Sequence, residues 1–185
     1  MNHIVLVGAG HTHCLILKKL LSHKDLKISL ISDNQYSYYS GMLPGLIAGT
    51  YKLDECRIDL SKNLIQKRID KIDLKNKKIF SENECIAEYD LLSINIGSAP
   101  KSIPGSKEHA ISIKPIPEFL EKLKQLKGKI LIIGAGAAGV ETALALEKRN
   151  TGEITVVQNA EDTLEGYPRK VKTEIKNIFK KRGVE

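Results

Sequence analysis

Two stretches of the chain repeat one order of apolar and polar positions. In the first, the continuous apolar run Ile4–Val7 leads into a glycine turn, and Cys14–Leu21 then has leucines at helical spacing. Continuous apolar runs are typical of parallel strands that are buried on both faces. The pattern therefore predicts a strand, a turn and a helix, followed by a second strand over Lys27–Ile31.

The same order returns in the last third of the chain. It predicts a strand over Ile130–Ile133, a helix over Val140–Arg149 and a second strand over Glu153–Val157. The two copies align at one constant offset, in the pairs Gly8 with Gly134, Gly10 with Gly136, His13 with Gly139 and Ile31 with Val157. A repeated strand–turn–helix–strand order predicts a duplicated nucleotide-binding unit.

Between the copies the pattern changes to short alternating segments. Residues 64–91 alternate apolar and polar positions between turns of Lys, Asn and Asp, which predicts a small antiparallel meander. Tyr89–Ser98 predicts a buried strand that ends on a glycine turn, and residues 118–126 predict a short amphipathic helix. Val184–Glu185 resembles the beginning of a further strand.

These elements predict an α/β fold with two Rossmann-like dinucleotide-binding units and a small antiparallel β-meander. The boundary between the two domains is expected near residue 108, which gives a first domain of 1–107 and a second of 108–185. The second unit is expected to be incomplete, because the chain stops where a further strand of its sheet begins.

Composition narrows the classes of function. The 185 residues carry a formal net charge of +7, but the basic residues are scattered, aromatic residues make up 5%, and Trp is absent, which argues against nucleic-acid binding. Cys14, Cys56 and Cys85 form no CxxC pair, so no metal site and no local redox disulfide is expected. Reduced thiols favour a cytoplasmic protein, and no apolar run approaches the roughly 20 residues that span a bilayer.

The glycine turn of the second copy has all three glycines of a dinucleotide-binding motif. The first glycine allows the tight turn, the second lets a pyrophosphate approach the backbone, and the third lets the helix pack on the strand. Gly134, Gly136 and Gly139 satisfy these positions, with Ala137 and Ala138 at the start of the helix. Free N–H groups and a partial positive charge at a helix N-terminus favour a bound phosphate.

The first copy departs from this motif at its third position. Gly8 and Gly10 match the first two glycines, but His13 replaces the third, after His11 and Thr12. Two histidines that are two positions apart do not share a helix face. Hydrogen bonds to phosphate or to backbone are therefore expected of them rather than metal binding.

The residue after the second strand of each copy is expected to bind the adenosine ribose. In the first copy Asp33 is the candidate, because it follows directly on Ser32. In the second copy Gln158 and Asn159 occupy the position, and no Arg is adjacent to bind a 2′-phosphate. Neutral amides bind a ribose hydroxyl by hydrogen bonds, so this pattern favours NADH over NADPH.

The order of these pieces resembles the pyridine nucleotide–disulfide oxidoreductase superfamily of flavoproteins with two dinucleotide-binding folds. Gly134–Glu141 is similar to the NAD motif of that superfamily. Tyr89–Pro100 is similar to its second FAD-contacting segment, which implies that Gly97 and Ser98 contact FAD.

A narrower resemblance is to the type II NADH dehydrogenase-like subfamily that is often linked to selenide, water dikinase. Gly8–His13, Tyr39–Gly45 and His109–Pro115 carry this resemblance, and the subfamily has His in place of the third glycine of its first motif. The resemblance implies that the flavin is lined by a loop of five residues, Ser40, Gly41, Met42, Leu43 and Pro44.

The resemblance implies an enzyme in which 1–107 bind FAD, 108–185 bind NAD(P)H, and a hydride passes from NAD(P)H to FAD. Glu141 is then expected to orient the nicotinamide, and the electrons pass on to a small-molecule acceptor. The redox CxxxxC pair of the disulfide reductases is absent from the sequence, which argues against thiol–disulfide chemistry. Any peripheral membrane association would come through the missing C-terminal part.

A second class of function stays open from the residues alone. The repeated turns are equally typical of a nucleotide-binding module without catalysis, or of an inactive fragment of such an enzyme. A methyltransferase that uses one glycine-rich turn would leave the second copy unexplained.

Overall fold

The computed structural model describes residues 2–100 and 103–185, apart from the side chain of residue 107. In chain order its strands and helices are β1 (Asn2–Val7), α1 (His11–Leu20), β2 (Leu26–Ser32), β3 (Tyr36–Tyr38), α2 (Leu43–Ile47), β4 (Arg57–Asp59), β5 (Leu64–Gln66), β6 (Lys71–Asp73), β7 (Lys78–Ser81), β8 (Glu84–Glu88), β9 (Leu91–Ile94), α3 (Ser106–His109), α4 (Ile116–Leu123), β10 (Gly128–Ile133), α5 (Ala137–Lys148), β11 (Gly152–Val157) and α6 (Arg169–Arg182). Single 3-10 turns lie at Ser40–Met42, Leu53–Glu55 and Ser61–Asn63.

The contacts between residues divide the chain into two compact units. The first unit contains the residues up to Tyr39 together with Arg57–Pro100. The second contains Ser40–Cys56 and the C-terminal residues from Ile103 onward. The assignment of 1–107 to one cofactor and 108–185 to another stays a prediction.

A four-stranded parallel sheet forms the centre of the first unit. Its strand order is β5-β2-β1-β9, and β1 pairs with β2 in the register Asn2 to Leu26 and with β9 in the register Ile4 to Leu91. Parallel strands all end at one edge of their sheet. The residues that follow β1, β2 and β9 therefore lie together, at the edge where α/β folds bind ligands.

Alternate residues of β1 face two different layers. Val5 and Val7 pack with Ile79 of the antiparallel sheet β6-β7-β8, whereas Leu6 packs with Leu17 of α1 on the opposite face. All five side chains are at most 5% exposed. Full burial of such a side chain contributes about 1.5–3 kcal/mol, so β1 is a main source of the stability of this unit.

In the second unit, α5 packs on the two-stranded parallel sheet of β10 and β11. Leu146 of α5, Ile154 of β11 and Phe179 of α6 are buried members of one core. The side chains of Leu131 and Ile133 point to the other face of β10, and each is more than half exposed.

The elements predicted for both repeats are confirmed, but both helices begin earlier than the hydrophobic pattern predicts. α1 begins at His11 rather than Cys14, and α5 begins at Ala137 rather than Val140. The physical reason is that Gly10 and Gly136 are the N-caps, so the first helical turn precedes the apolar residues.

Two predictions between the repeats are corrected. Leu64–Gln66 joins the parallel sheet beside β2 instead of the meander, which contains only β6, β7 and β8. Alternation predicts a strand but does not choose its partner. The strand predicted over Tyr89–Ser98 is short and lies at the sheet edge, where Leu91 and Ile94 are each 54% exposed.

At Val184, where a further strand is predicted to begin, the structure has an isolated parallel bridge rather than a strand. Val184 forms a parallel bridge with Ile154 of β11, and the Glu185 N–H donates to the Ile154 carbonyl at 3.0 Å. Gly183 directly before it has φ +67°, which ends α6 and reverses the chain.

Candidate functional site

The two glycine turns share one backbone hydrogen bond. The Gly8 N–H donates to the Ile31 carbonyl and the Gly134 N–H donates to the Val157 carbonyl, each with 2.7 Å between nitrogen and oxygen. Gly8 and Gly134 have φ of +93° and +107°, a region that residues with a side chain rarely adopt. Each turn therefore joins the ends of two parallel strands and requires glycine at its first position.

The two helices also begin alike. The Gly10 carbonyl accepts from the Cys14 N–H at 3.2 Å, and the Gly136 carbonyl accepts from the Val140 N–H at 3.0 Å. The first N–H groups of a helix have no partner within the helix, and the helix dipole places partial positive charge there. The turn before α1 and the turn before α5 each present an N-terminus that suits a phosphate.

Glycine suits the second and the third position of the turn before α5 for two different reasons. A Cβ built on Gly139 would lie 1.8 Å from the Gly134 carbonyl oxygen, so the close packing of α5 on the turn requires glycine. Within the described residues, no heavy atom beyond the chain neighbours lies within 4 Å of a Cβ built on Gly136. That open space lets a ligand approach the backbone.

In the first unit, His13 takes the third position with a buried ring. The ring is 1% exposed. Its Nδ1 lies 2.7 Å from the Gly8 carbonyl oxygen, and its Nε2 lies 2.9 Å from the Ser93 hydroxyl oxygen. A hydrogen bond to phosphate or to backbone was expected of His13, and the structure contains a hydrogen bond to the backbone.

Asn95 also lies at this edge of the sheet and contacts the glycine turn. This contact was not predicted from the sequence. The Gly10 N–H donates to the Asn95 carbonyl at 3.2 Å, and the Asn95 side-chain amide lies 2.3–2.4 Å from the place of a Cβ on Gly10. Gly10 itself has an extended backbone with φ −67°. Glycine at position 10 therefore makes room for the neighbouring amide and is not needed for a left-handed conformation.

The other predicted residues of the first unit lie at the same edge of its sheet. His11 and Thr12 are exposed at the start of α1, and Asp33 is exposed directly after β2. The ring of His11 packs against Tyr39, with 4.8 Å between ring centroids. Gly97–Ser98, after β9, is exposed as well.

The segment after β11 folds back onto the turn before α5. The buried Leu164 donates its N–H to the Ala135 carbonyl at 2.9 Å. A carboxylate oxygen of Asp162 lies 2.7 Å from Lys176 Nζ, and this hydrogen bond holds the pKa of Asp162 below its usual range. Gln158, the candidate ribose ligand, is partly buried at the start of this segment.

The whole sequence matches one family model. The model describes the pyridine nucleotide-disulphide oxidoreductases, and the match extends over residues 2–185. The chain belongs to this family. The predicted superfamily is thereby confirmed.

A curated member of the family is the type II NADH:quinone oxidoreductase of Staphylococcus aureus (strain NCTC 8325 / PS 47). It is 25% identical over an alignment of 222 positions, gaps included, which covers 98% of this chain and 55% of that protein. The chain therefore spans about half the length of this relative, and the predicted likeness to type II NADH dehydrogenases is confirmed.

Two solved structures share the fold of this chain. NDH2 from Plasmodium falciparum in complex with NADH has a TM-score of 0.84 at 18% identity, over 100% of this chain and 47% of that one. A NAD-dependent persulfide reductase from A. fulgidus has a TM-score of 0.85 at 21% identity, over 99% of this chain and 39% of that one. Each likeness extends over both repeats.

The loop that the family resemblance places at the flavin is only partly accessible. Ser40–Met42 is a 3-10 turn, and Leu43 and Pro44 begin α2. Leu43 is 7% exposed and packs in the core of the second unit with Ile47, so its side chain is not available to a ligand. The contact of this loop with a flavin stays a prediction.

Glu141 lies in the second turn of α5 and is exposed. Ala137 and Ala138, the first residues of that helix, are exposed too, and their small side chains leave the helix N-terminus accessible. In the part of the chain that the structure describes, the Glu141 carboxylate makes no hydrogen bond or ion pair. It is therefore available to a ligand at this end of α5.

The next feature is the placement of the cysteines and of the other side chains that could bind a metal ion. Among residues 2–100 and 103–185, no group of three or more His, Cys, Asp or Glu is placed to hold a metal ion. Cys14, Cys56 and Cys85 are all free, and burial raises the pKa of the Cys56 thiol. No helix in these ranges is both long enough and apolar enough to cross a membrane.

An open cavity of about 640 Å³ lies in the first unit, lined mainly by Cys85–Glu88 of β8 together with residues of β1, β2, β5 and β7. His3 lines it, with Nε2 2.8 Å from the Ser29 hydroxyl oxygen. Burial, assisted by the positive charge of Lys27, lowers the pKa of His3.

His3 is expected to make the free energy of unfolding rise with pH. An unfolded histidine has a pKa of about 6.5. Since the pKa of folded His3 is lower, the unfolded chain takes up the proton first as pH falls below that value, and stability is lost down to the folded pKa. In urea unfolding at several pH values, His3→Gln should make the free energy of unfolding depend less on pH. The exposed His23→Gln is the control and should keep the dependence of the wild type. An equally steep curve for His3→Gln would contradict the prediction.

Proposed function

We propose that this chain is the nucleotide-binding part of a flavoenzyme that oxidises NADH and passes the electrons through FAD to a small-molecule acceptor. The repeated turn carries the proposal. Gly8 bonds to Ile31 and Gly134 to Val157 at the same distance, and each turn precedes a helix N-terminus. Two such sites in one chain fit an enzyme that uses two dinucleotides.

The second unit is proposed to bind the nicotinamide dinucleotide. The open space at Gly136 admits the pyrophosphate, and the neutral amide of Gln158 accommodates a ribose hydroxyl. The carboxylate of Asp162 lies four residues further along and is already paired with Lys176. No Arg stands next to Gln158 to bind a 2′-phosphate, so NADH is favoured over NADPH, and NADH is the ligand of the Plasmodium NDH2 structure.

The first unit is proposed to bind FAD. The exposed start of α1 at His11 and Thr12 offers N–H groups to a pyrophosphate, and the exposed carboxylate of Asp33 suits a ribose hydroxyl. Gly97–Ser98 lies at the same sheet edge and is a further proposed contact. Asn95 already covers Gly10, so the helix start is the accessible part of this turn.

When bound, the nicotinamide supplies a hydride and the flavin accepts it, so the protein needs no nucleophile of its own. The proposed part of Glu141 is to orient the nicotinamide from the exposed side of α5. The proposed part of Ser40–Pro44 is to line the flavin ring, mainly with its exposed residues and its backbone.

The acceptor is proposed only as a class of small molecules. The Staphylococcus relative is a quinone oxidoreductase and the A. fulgidus relative is a persulfide reductase, so the shared fold accompanies different acceptors. A cytoplasmic location, a peripheral membrane association and a functional link to selenide, water dikinase stay predictions from the sequence.

Spectroscopy of the purified chain tests the proposed function. We expect a chain incubated with FAD and freed of excess cofactor to retain a flavin spectrum, which NADH bleaches without oxygen. A colourless chain that still binds NADH would instead favour a nucleotide-binding module without catalysis. A chain that binds neither would contradict the proposal for both turns.

Glu141→Gln is expected to slow flavin reduction by NADH about tenfold, which corresponds to about 1.4 kcal/mol in the barrier. The substitution removes a charge from an exposed position and keeps the shape of the side chain, so the melting temperature should not change. Stopped-flow absorbance of the FAD-loaded chain measures the rate, with the exposed Glu174→Gln on α6 as control. Equal rates in both variants would remove Glu141 from the proposed site.

A further inference from the structure

His13 replaces a glycine, yet its side chain has a defined place in the first unit. The ring is 1% exposed. Its Nδ1 lies 2.7 Å from the Gly8 carbonyl oxygen, and its Nε2 lies 2.9 Å from the Ser93 hydroxyl oxygen. A carbonyl oxygen only accepts hydrogen bonds, so Nδ1 carries a proton and donates to Gly8. Both ring nitrogens are engaged, and the ring offers a cofactor no free polar atom.

We propose that His13 is a positioning residue, which holds the turn between β1 and α1 in the shape that receives a dinucleotide. It acts through the Gly8 carbonyl on one side and through Ser93 on the other. The nature of the ligand rests on the proposed function, whereas the shape of the turn is measurable without any ligand.

The two copies restrain the same carbonyl by different means. In the second unit, α5 packs so closely on the Gly134 carbonyl that a Cβ on Gly139 would lie 1.8 Å away. In the first unit a hydrogen bond from His13 holds the matching carbonyl of Gly8. Both carbonyls belong to glycines with positive φ.

The partner of His13 is also distant in sequence. Ser93 lies in β9, 80 positions after His13. Two residues later, the Asn95 carbonyl accepts the Gly10 N–H. The end of β9 therefore holds the turn at two points, and the first turn acquires its shape only when β9 has paired with β1.

Hydrogen exchange of backbone amides tests the positioning without a cofactor. In His13→Ala we expect faster exchange at Gly8 and Gly10 than in the wild type. Exchange at Gly134, whose N–H makes the matching bond in the second unit, should not change. Should His13→Ala fail to fold, Ser93→Ala removes only the hydroxyl and should speed exchange at Gly10. Wild-type exchange at Gly10 in every folded variant would overturn the proposal.

FAD affinity then separates positioning from general packing. Asn at position 13 places an amide N–H close to that of Nδ1, so His13→Asn should keep the bond to Gly8. We expect His13→Ala to weaken FAD binding about tenfold, and His13→Asn to weaken it clearly less. The exposed His23→Asn, measured in parallel, should bind FAD as the wild type does. Equal losses in the Ala and Asn variants, or no loss in either, would overturn the proposal.

The two proposals fail in different ways. A wild-type chain that takes up no FAD contradicts the proposed function of the first unit. The exchange rates at Gly8 and Gly10 still decide the role of His13 in that case. If FAD binds and the exchange rates do not depend on His13, the proposed function stands and the positioning role is wrong.

Discussion

Gly139→Ala is expected to destabilise the second unit by at least about 2 kcal/mol, because the new Cβ meets backbone that cannot move aside. The Cβ would lie 1.8 Å from the Gly134 carbonyl oxygen, well inside the contact distance of carbon and oxygen. Relief requires α5 to move away from the turn, which disrupts the core around Leu146. Urea unfolding followed by circular dichroism measures the loss.

Gly136→Ala is the matched control for that experiment. Its Cβ would meet no described heavy atom within 4 Å, and its φ of −72° suits any residue. An Ala at this N-cap should cost less than about 1 kcal/mol. NADH affinity should nevertheless fall by about tenfold or more, because the methyl group fills the space that the pyrophosphate needs. Unchanged NADH binding in a folded Gly136→Ala chain would exclude this turn as the nicotinamide nucleotide site.

Gly10→Ala is expected to destabilise the first unit by about 1–3 kcal/mol through overpacking. The Cβ would lie 2.3 Å from the amide carbon of Asn95, and φ at Gly10 is compatible with alanine. The damage should therefore depend on the Asn95 side chain. Asn95→Ala in the same chain should restore most of the loss, with an interaction energy of at least about 1 kcal/mol in a double-mutant cycle.

The double variant also separates packing from cofactor binding. If a pyrophosphate contacts the backbone at Gly10, the chain with both substitutions should be stable, but its affinity for FAD should be lower than that of Asn95→Ala. If the dinucleotide contacts only the start of α1, the double variant should bind FAD as Asn95→Ala does. Purely additive destabilisation by the two substitutions would contradict the contact between Gly10 and Asn95.

Several features of the site follow from local sequence because their causes are local. The apolar run Ile4–Val7 and its copy Ile130–Ile133 predict buried strands, and a side chain at Gly8 or Gly134 is disfavoured by backbone conformation alone. Asp33 and Gln158 could be named in advance because parallel strands end at the ligand-binding edge of their sheet.

The sequence by itself therefore determined the two strand–turn–helix–strand repeats, the family, and the strand ends at which the candidate nucleotide sites lie. Only the tertiary structure decided that His13 bonds to Gly8 and Ser93, and that the Asn95 amide covers Gly10. Periodicity and turn chemistry act over a few neighbouring residues, and a single sequence shows them directly. The partners of His13 and Gly10 come from β9, some 80 positions away, and only the pairing of β9 with β1 brings them to the turn.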